Sequence, residues 1–281
     1  MSYDLDRDTD LSAMGEGRYR GRLSDRWNIG GGMNGGYLAA FCLRAAMAVS
    51  TFPDPLSLSV HYLSRPVPGA ADVVVELLRA GRGHATASFR LLQGGPAGAR
   101  SGPGKAHVVR CAGLVTFGRL RAPGRLDFQP EAPEVPAPLQ CRPVSATDGF
   151  PNRLWKRLEV RLAAPGDLFA LRSAPGEAQG GGWMRLGDGR PPDALSAALL
   201  LDSWPPVVLS RTMHPDPSGA PTLEYSVHFR NRAASPWLYA RLETLALAGG
   251  YLDEHGALFD ESGVLVAESR QLARYSAGGA G

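Results

Sequence analysis

The first half of the chain has a regular succession of apolar and polar segments. An apolar segment at 37–49 contains few helix breakers and has apolar residues on all sides, which predicts a buried helix. Pro53 and Pro55 end it. A strand near 18–27 and a glycine-rich turn precede the helix. Short strand-like segments follow it, at 56–63, 71–80, 86–92 and 107–117.

The second half repeats this order of predicted elements. A strand near 157–163 is followed by a glycine-rich excursion at 180–182. A buried helix is predicted over 192–204, ending at the prolines 205–206. Further strands are predicted at 222–230, 237–248, 256–260 and 264–275.

Two sequence motifs occur once in each half and in the same order. The pattern Ser-Val-His-aromatic-x-x-Arg is found at 59–65 and again at 226–232, 167 residues later. Upstream, the apolar stretch that ends at Arg44 matches the one that ends at Asp202, 158 residues later. Two repeats in one order indicate a duplicated unit.

A proline-dense stretch separates the two halves. Seven prolines fall between 118 and 151, and such a segment sustains neither a helix nor a central strand. We therefore predict an N-terminal module at 1–120, a connector at 121–151 and a C-terminal module at 152–281. The predicted class is α+β, with an antiparallel sheet wrapped around a long helix in each module and the two sheets paired edge to edge. This architecture is a double hotdog.

Composition and charge exclude several classes of function. The chain is 44% hydrophobic and 20% charged, and its net charge is +3 without a basic stripe, so nucleic acid is not expected as a partner. No apolar run is long enough to span a membrane, and the acidic N-terminus lacks a signal core, which predicts a cytoplasmic protein. The three cysteines are far apart and the six histidines lack ligand spacing, so we expect no disulfide framework, metal or cofactor.

Five stretches together carry a resemblance to a known family. They are 27–46 with its Asn34-Gly35-Gly36-Tyr37 core, 61–66, 199–202, 222–229 and 263–271. In their order and spacing they resemble the acyl-CoA thioesterase II family, of the thioesterase-like double-hotdog superfamily. The resemblance implies hydrolysis of acyl-CoA or another acyl thioester to a free acid. It also implies three catalytic residues, which match here Asp202, Thr222 and Gln271.

The chemistry of these three residues fits thioester hydrolysis. Asp202 is suited to be the general base that deprotonates a water molecule. Thr222 and Gln271 are suited to orient that water, which reduces the entropy cost of attack. In the first half the aligned residues are Arg44, Pro55 and, with the least secure alignment, about Val115, so only one of two related sites is chemically equipped.

Four further residues are predicted to bind substrate. Backbone N–H groups of the turn formed by Asn34, Gly35 and Gly36 could polarise the thioester carbonyl at a helix N-terminus. His61 is the fourth, although its counterpart His228 at the matching repeat position favours a structural role for both.

Two other functions stay open at the level of sequence. A hotdog dehydratase or hydratase would pair a histidine of one half with an acid of the other, as His61 and Asp202 could, but the His-x-x-x-Gly signature of polyketide dehydratases is absent. A non-catalytic acyl-thioester-binding protein is the other alternative. A homo-oligomer of double-hotdog units is possible in each case.

Overall fold

The first half of the protein is built from two helices and eight strands. A computed structural model describes residues 2–94, 107–120, 127–144, 153–163, 178–210 and 220–275. The elements of the first half are α1 (Asp4–Asp8), β1 (Leu11–Gly15), β2 (Arg18–Leu23), β3 (Asn28–Ile29), β4 (Gly32–Met33), α2 (Gly35–Met47), β5 (Asp54–Tyr62), β6 (Gly69–Ala80), β7 (Ala85–Gln93) and β8 (Val108–Gly118).

The rest of the described chain contributes one helix and eight strands. These are β9 (Arg142–Pro143), β10 (Leu158–Leu162), β11 (Gln179–Leu186), α3 (Ala194–Leu200), β12 (Thr222–Phe229), β13 (Leu238–Glu243), β14 (Leu247–Ala248), β15 (Tyr251–Asp260) and β16 (Leu265–Arg274). Fourteen of the described strands form one antiparallel sheet, in the order β1-β2-β6-β7-β8-β5-β12-β16-β15-β13-β11-β10-β9, with β14 paired to β15. The predicted α+β double hotdog is confirmed.

Most predicted elements of both halves are present, and four need correction. The glycines at 180–182 lie inside strand β11 rather than in a loop, because they permit close approach: a Cβ on Gly182 would lie 2.6 Å from the Arg161 carbonyl oxygen. Helix α3 ends at Leu200 instead of 204. Strand β15 begins at Tyr251, five residues before the predicted start. The strand predicted at 237–248 is divided between β13 and β14.

The repeated histidine motifs form the junction between the two halves. Strands β5 and β12 pair in antiparallel fashion, with Ser59 opposite Ser226 and His61 opposite Glu224. Each serine has the same position in its own repeat, so a pseudo-two-fold axis passes through this pair. The duplicated motif is therefore the seam of the continuous sheet.

The strand register also supports the alignment of the two halves. Val115 lies opposite Leu58 in the first half, as Gln271 lies opposite Tyr225 in the second. Both β5 and β12 contain a register shift at the equivalent place, after Pro55 in one and after Thr222 in the other.

The buried apolar helices α2 and α3 pack side by side on one face of the sheet. Residues of α2 and α3 belong to one buried core that includes side chains from both halves. Gly36 permits this approach, because a Cβ there would lie 2.6 Å from the carbonyl oxygen of Ala198. Among the described residues, no helix has both the length and the apolar character required to cross a membrane.

The connector contacts the opposite face of the sheet. Within its described part, 127–144, Cys141 packs with Trp183 and Trp237 on the side of the second-half strands that faces away from the helices. The predicted connector residues 121–126 and 145–151 lie outside the described residues.

Candidate active site

Asp202 lies where the end of α3 meets the beginning of α2. Its Oδ2 atom accepts hydrogen bonds from the Gly36 backbone N–H at 2.7 Å and from Asn34 Nδ2 at 2.8 Å. The first N–H groups of a helix have no partner within the helix and carry its positive dipole end, so they stabilise a carboxylate. An acid of the second half is thereby bound by the helix of the first.

The N-cap of α2 fixes the orientation of Asn34. Its Oδ1 atom accepts from the Tyr37 N–H at 2.8 Å, as an N-cap side chain does, so its Nδ2 group must face Asp202. Asn34 and Gly36 both donate to Oδ2, and neither of these bonds uses Oδ1. Oδ2 is thus the oxygen through which these two donors anchor the carboxylate.

The surroundings of Asp202 bring its pKa close to neutral pH. Burial disfavours the charged form and raises the pKa from 3.8 to about 6, while the N–H groups of Gly36, Asn34 and Gly35 oppose this effect. At pH 7 roughly 90% of the carboxyl groups are ionised, and the carboxylate is far more basic than an ordinary aspartate.

The turn at 34–36 contacts Asp202. Asn34, Gly35 and Gly36 all supply N–H groups to this carboxylate, and the predicted contact of the turn with a substrate carbonyl stays a prediction. Both glycines are needed for this approach, because a Cβ on Gly35 would lie 2.9 Å from the Tyr62 hydroxyl and 3.1 Å from Asp202 Oδ2. The turn therefore binds and positions the Asp202 carboxylate.

Thr222 and Gln271 are directly bonded to each other. The Thr222 hydroxyl donates to Gln271 Oε1 at 2.8 Å, and Gln271 Nε2 donates to Glu254 Oε1 at 3.0 Å. The other oxygen of Glu254 accepts from the Val207 N–H at 2.7 Å. A threonine, an amide and a carboxyl group thus form one hydrogen-bonded chain.

Glu254 is the member of this chain that the sequence reasoning missed. It is 1% exposed, and burial raises its pKa from 4.5 to about 8, with a smaller contribution from the charge of Asp202. The contribution of Asp202 means that the two carboxyl groups are within electrostatic reach of each other. Glu254 alternates along β15 with the inward-facing residues Leu252 and Leu258. This pattern could have identified it, because burying an acid among apolar residues is unfavourable unless the acid has partners.

His61 does not join these residues. Its side chain is exposed, whereas its neighbours Val60 and Tyr62 point to the helix side, where the Tyr62 hydroxyl donates to the Gly35 carbonyl oxygen at 2.7 Å. Successive side chains of a strand point to opposite faces, so His61 and Asp202 lie on opposite sides of the sheet.

The corresponding position of the first half is filled by an ionic network. Arg44, aligned with Asp202, bonds Asp6 at 2.6 Å, and Asp6 also bonds Arg190 at 2.9 Å. Arg190 in turn forms a two-pronged contact with Asp193, the N-cap of α3. The N-terminal helix α1 therefore supplies an acid that joins two arginines in the first half, where the second half has Asp202.

The two halves match the two domains of one protein family. Residues 23–118 match the acyl-CoA thioesterase N-terminal domain, and residues 138–275 match the acyl-CoA thioesterase C-terminal domain. The chain belongs to the acyl-CoA thioesterase family. It is accordingly a thioester hydrolase with a double-hotdog fold.

Similar proteins cover nearly the whole chain. A candidate thioesterase II from Thermobifida fusca is 28% identical, with a TM-score of 0.84 over 98% of each chain. An acyl-CoA thioesterase II from Mycobacterium marinum is 22% identical and shares the fold, with a TM-score of 0.72 over 98% of this chain and 100% of its own. An uncharacterized protein of Mycobacterium tuberculosis is 27% identical over 91% of this chain and 90% of its own. Dehydratase domains share the fold at TM-scores of 0.53 to 0.57.

Proposed function

We propose that this thioesterase hydrolyses acyl-CoA by direct attack of a water molecule, with Asp202 as the general base. The observation that carries the proposal is a carboxylate that Gly36 and Asn34 anchor through Oδ2, neither of these two bonds using Oδ1, and that has a pKa of about 6. A base with a pKa near the working pH is ionised and still accepts a proton readily.

Thr222 and Gln271 orient this water in the proposed mechanism. The Thr222 hydroxyl donates its hydrogen bond to Gln271 Oε1, and its oxygen can still accept a hydrogen bond from water. Gln271 has a second N–H that its bond to Glu254 does not use. No hydrogen bond among the described residues joins Asp202 directly to either side chain, which is compatible with a water molecule between them.

The proposed reaction balances without a covalent enzyme intermediate. Asp202 takes a proton from water as the water oxygen bonds to the thioester carbon. The tetrahedral intermediate then collapses, the carbon–sulfur bond breaks, and CoA leaves as a thiolate. A thiol has a pKa of about 8.5, so protonated Asp202 returns its proton to the sulfur in a favourable direction. The products are a free carboxylic acid and CoA.

Release of free thiol from a series of acyl-CoA substrates tests the proposal. We expect Asp202→Asn to lower kcat by about 10²–10⁴, the usual contribution of a general base, and Gln271→Ala and Thr222→Val to lower it less. Glu268→Gln is the matched control, because Glu268 lies on the same strand as Gln271 but forms an exposed ion pair with Arg230. Full activity of both the Asp202 and the Gln271 variants would refute the assignment.

The histidine that the sequence offered for the dehydratase alternative does not lie beside Asp202. His61 is exposed on the other side of the sheet. Incubation with a 3-hydroxyacyl-CoA distinguishes the reactions: the proposal predicts free CoA, whereas an enoyl product would favour dehydration. Tight acyl-CoA binding without turnover would favour the binding protein.

A further inference from the structure

We propose that Glu254 is a positioning residue of the active site, which holds the Gln271 amide in the orientation that Thr222 requires and ties it to the segment that carries Asp202. The inference rests on the proposed function. It assigns a role to a residue that does not itself contact the substrate.

The hydrogen bonds of Glu254 support the orientation of the Gln271 amide. Gln271 presents Nε2 to Glu254 Oε1 and its own Oε1 to the Thr222 hydroxyl. The Val207 N–H donates to the other oxygen of Glu254, so both oxygens act as acceptors here. A reversed amide would turn Nε2 toward Thr222, and the Thr222 hydroxyl would lose its acceptor. Glu254 thus supports the donor and acceptor pattern of the Gln271–Thr222 pair.

The second oxygen of Glu254 connects this pair to the base. Oε2 accepts from the backbone N–H of Val207, which follows Asp202 by five residues. One buried carboxyl group therefore bridges β16 and the chain segment after α3. The bridge fixes the separation between the general base and the residues that orient water.

The first half of the protein shows that the fold does not need this carboxyl group. Glu254 lies opposite Gln271, which lies opposite Tyr225 on the next strand. The register gives Ala87, Val115 and Leu58 as the equivalent row in the first half, and all three are buried apolar residues.

The comparison of the two rows separates function from packing. The same place in the same fold is filled by alanine in the half that lacks the aspartate. A buried carboxyl group is unfavourable unless it has a compensating use, and the raised pKa of Glu254 reflects that cost. The polar residue occurs only in the half where it contacts the proposed catalytic pair.

A double-mutant cycle with kcat and KM measured separately tests the inference. Glutamine at 254 can offer an oxygen to only one of its two donors, so Glu254→Gln is expected to lower kcat about tenfold or more with KM changed less than about threefold. Because Glu254 acts through Gln271, adding E254Q to Gln271→Ala should lower kcat by less than about twofold more.

Asp260→Asn is the matched control for this experiment. Asp260 is also buried on β15, at the far end of the strand, where it accepts bonds from the turn at Ser262 and Val264. We expect this variant to lose thermal stability and keep kcat. A kcat of E254Q equal to that of the unmodified protein, or effects of E254Q and Q271A that multiply independently, would overturn the inference.

The outcome also separates this inference from the proposed function. If Asp202→Asn abolishes thiol release and E254Q does not reduce it, only the role of Glu254 fails. If the unmodified protein releases no thiol from acyl-CoA, or D202N is fully active, the proposed function fails and the inference fails with it. Loss of kcat in E254Q with an unchanged melting temperature supports positioning over a general loss of structure.

Discussion

Replacement of Asn34 by serine tests how the Asn34 amide, which donates to both the carboxylate and the backbone carbonyl oxygen of Asp202, affects the basicity of that carboxylate. A serine hydroxyl still caps α2 by accepting from the Tyr37 N–H, but it removes the amide group that donates to Asp202 Oδ2 at 2.8 Å. That donor favours the ionised carboxylate, so its loss should raise the pKa of Asp202. A hydrogen bond to a charged group contributes about 1.5 kcal/mol, which corresponds to about one pKa unit.

The expected result is a displaced acid limb in the pH profile of kcat. In the unmodified protein activity should be half-maximal near pH 6, the pKa of about 6 for Asp202, and complete at higher pH. For Asn34→Ser the midpoint should lie near pH 7, so the rate at pH 6 falls roughly fivefold while the rate at pH 8 is nearly unchanged.

Thiol release measured from pH 5 to 8.5 in one buffer system is the appropriate assay. Asn34→Ala serves as the comparison, because it also loses the cap and should lower the unfolding free energy by about 1 kcal/mol. An active N34S protein whose midpoint stays near pH 6 would refute the assignment of the acid limb to Asp202. A rate that is equally reduced at every pH would show instead that Asn34 acts through geometry alone.

Three other outcomes follow from the packing and the charges. Gly36→Ala places a Cβ 2.6 Å from the Ala198 carbonyl oxygen, so we expect the free energy of unfolding, measured with a denaturant, to fall by about 1–3 kcal/mol and kcat to fall severely. An unaffected kcat would contradict the close contact between the helices. Arg190→Met leaves Asp6 without its buried partner and should destabilise the protein by about 2 kcal/mol in urea without changing kcat, whereas a changed kcat would imply that the first-half network serves the site. The pKa of Glu254 is about 8 in the folded state, above the unfolded value of 4.5, so the stabilisation from its bound proton is complete below pH 4.5 and is lost as the pH rises through 8. In thermal unfolding at several pH values, the unmodified protein should therefore lose stability relative to Glu254→Gln over this interval. Parallel stability curves for the two proteins would argue against a buried titrating carboxyl group.

The sequence predicted the elements whose pattern is local. The helix at 37–49 and the strands at 56–63 and 71–80 correspond to α2, β5 and β6, because apolar periodicity and flanking breakers act over a few residues. Strand β11 was missed because Gly180–182 has the composition of a loop, although in the structure these glycines let the backbone of neighbouring strands approach.

The site was harder to predict, because its contacts are distant in sequence. Asp202 and Gly36 are 166 residues apart and meet only because the two helices pack together. Resemblance identified Asp202, Thr222 and Gln271 as candidates, and the roles assigned to them stay predictions until activity is measured. Glu254 lies two residues before the predicted strand start at 256, so the sequence did not predict its inward-facing position.

Because Asp202 is bonded to the beginning of α2, we expect activity to require that the two halves are assembled. The proposed base, Asp202, belongs to the second half, but Asn34 and Gly36, which anchor it, belong to the first, so neither half alone contains the complete proposed site. A folding intermediate with only one ordered half would be inert toward thioesters. Recovery of activity during refolding should therefore coincide with docking of the two helices, later than the appearance of secondary structure within either half.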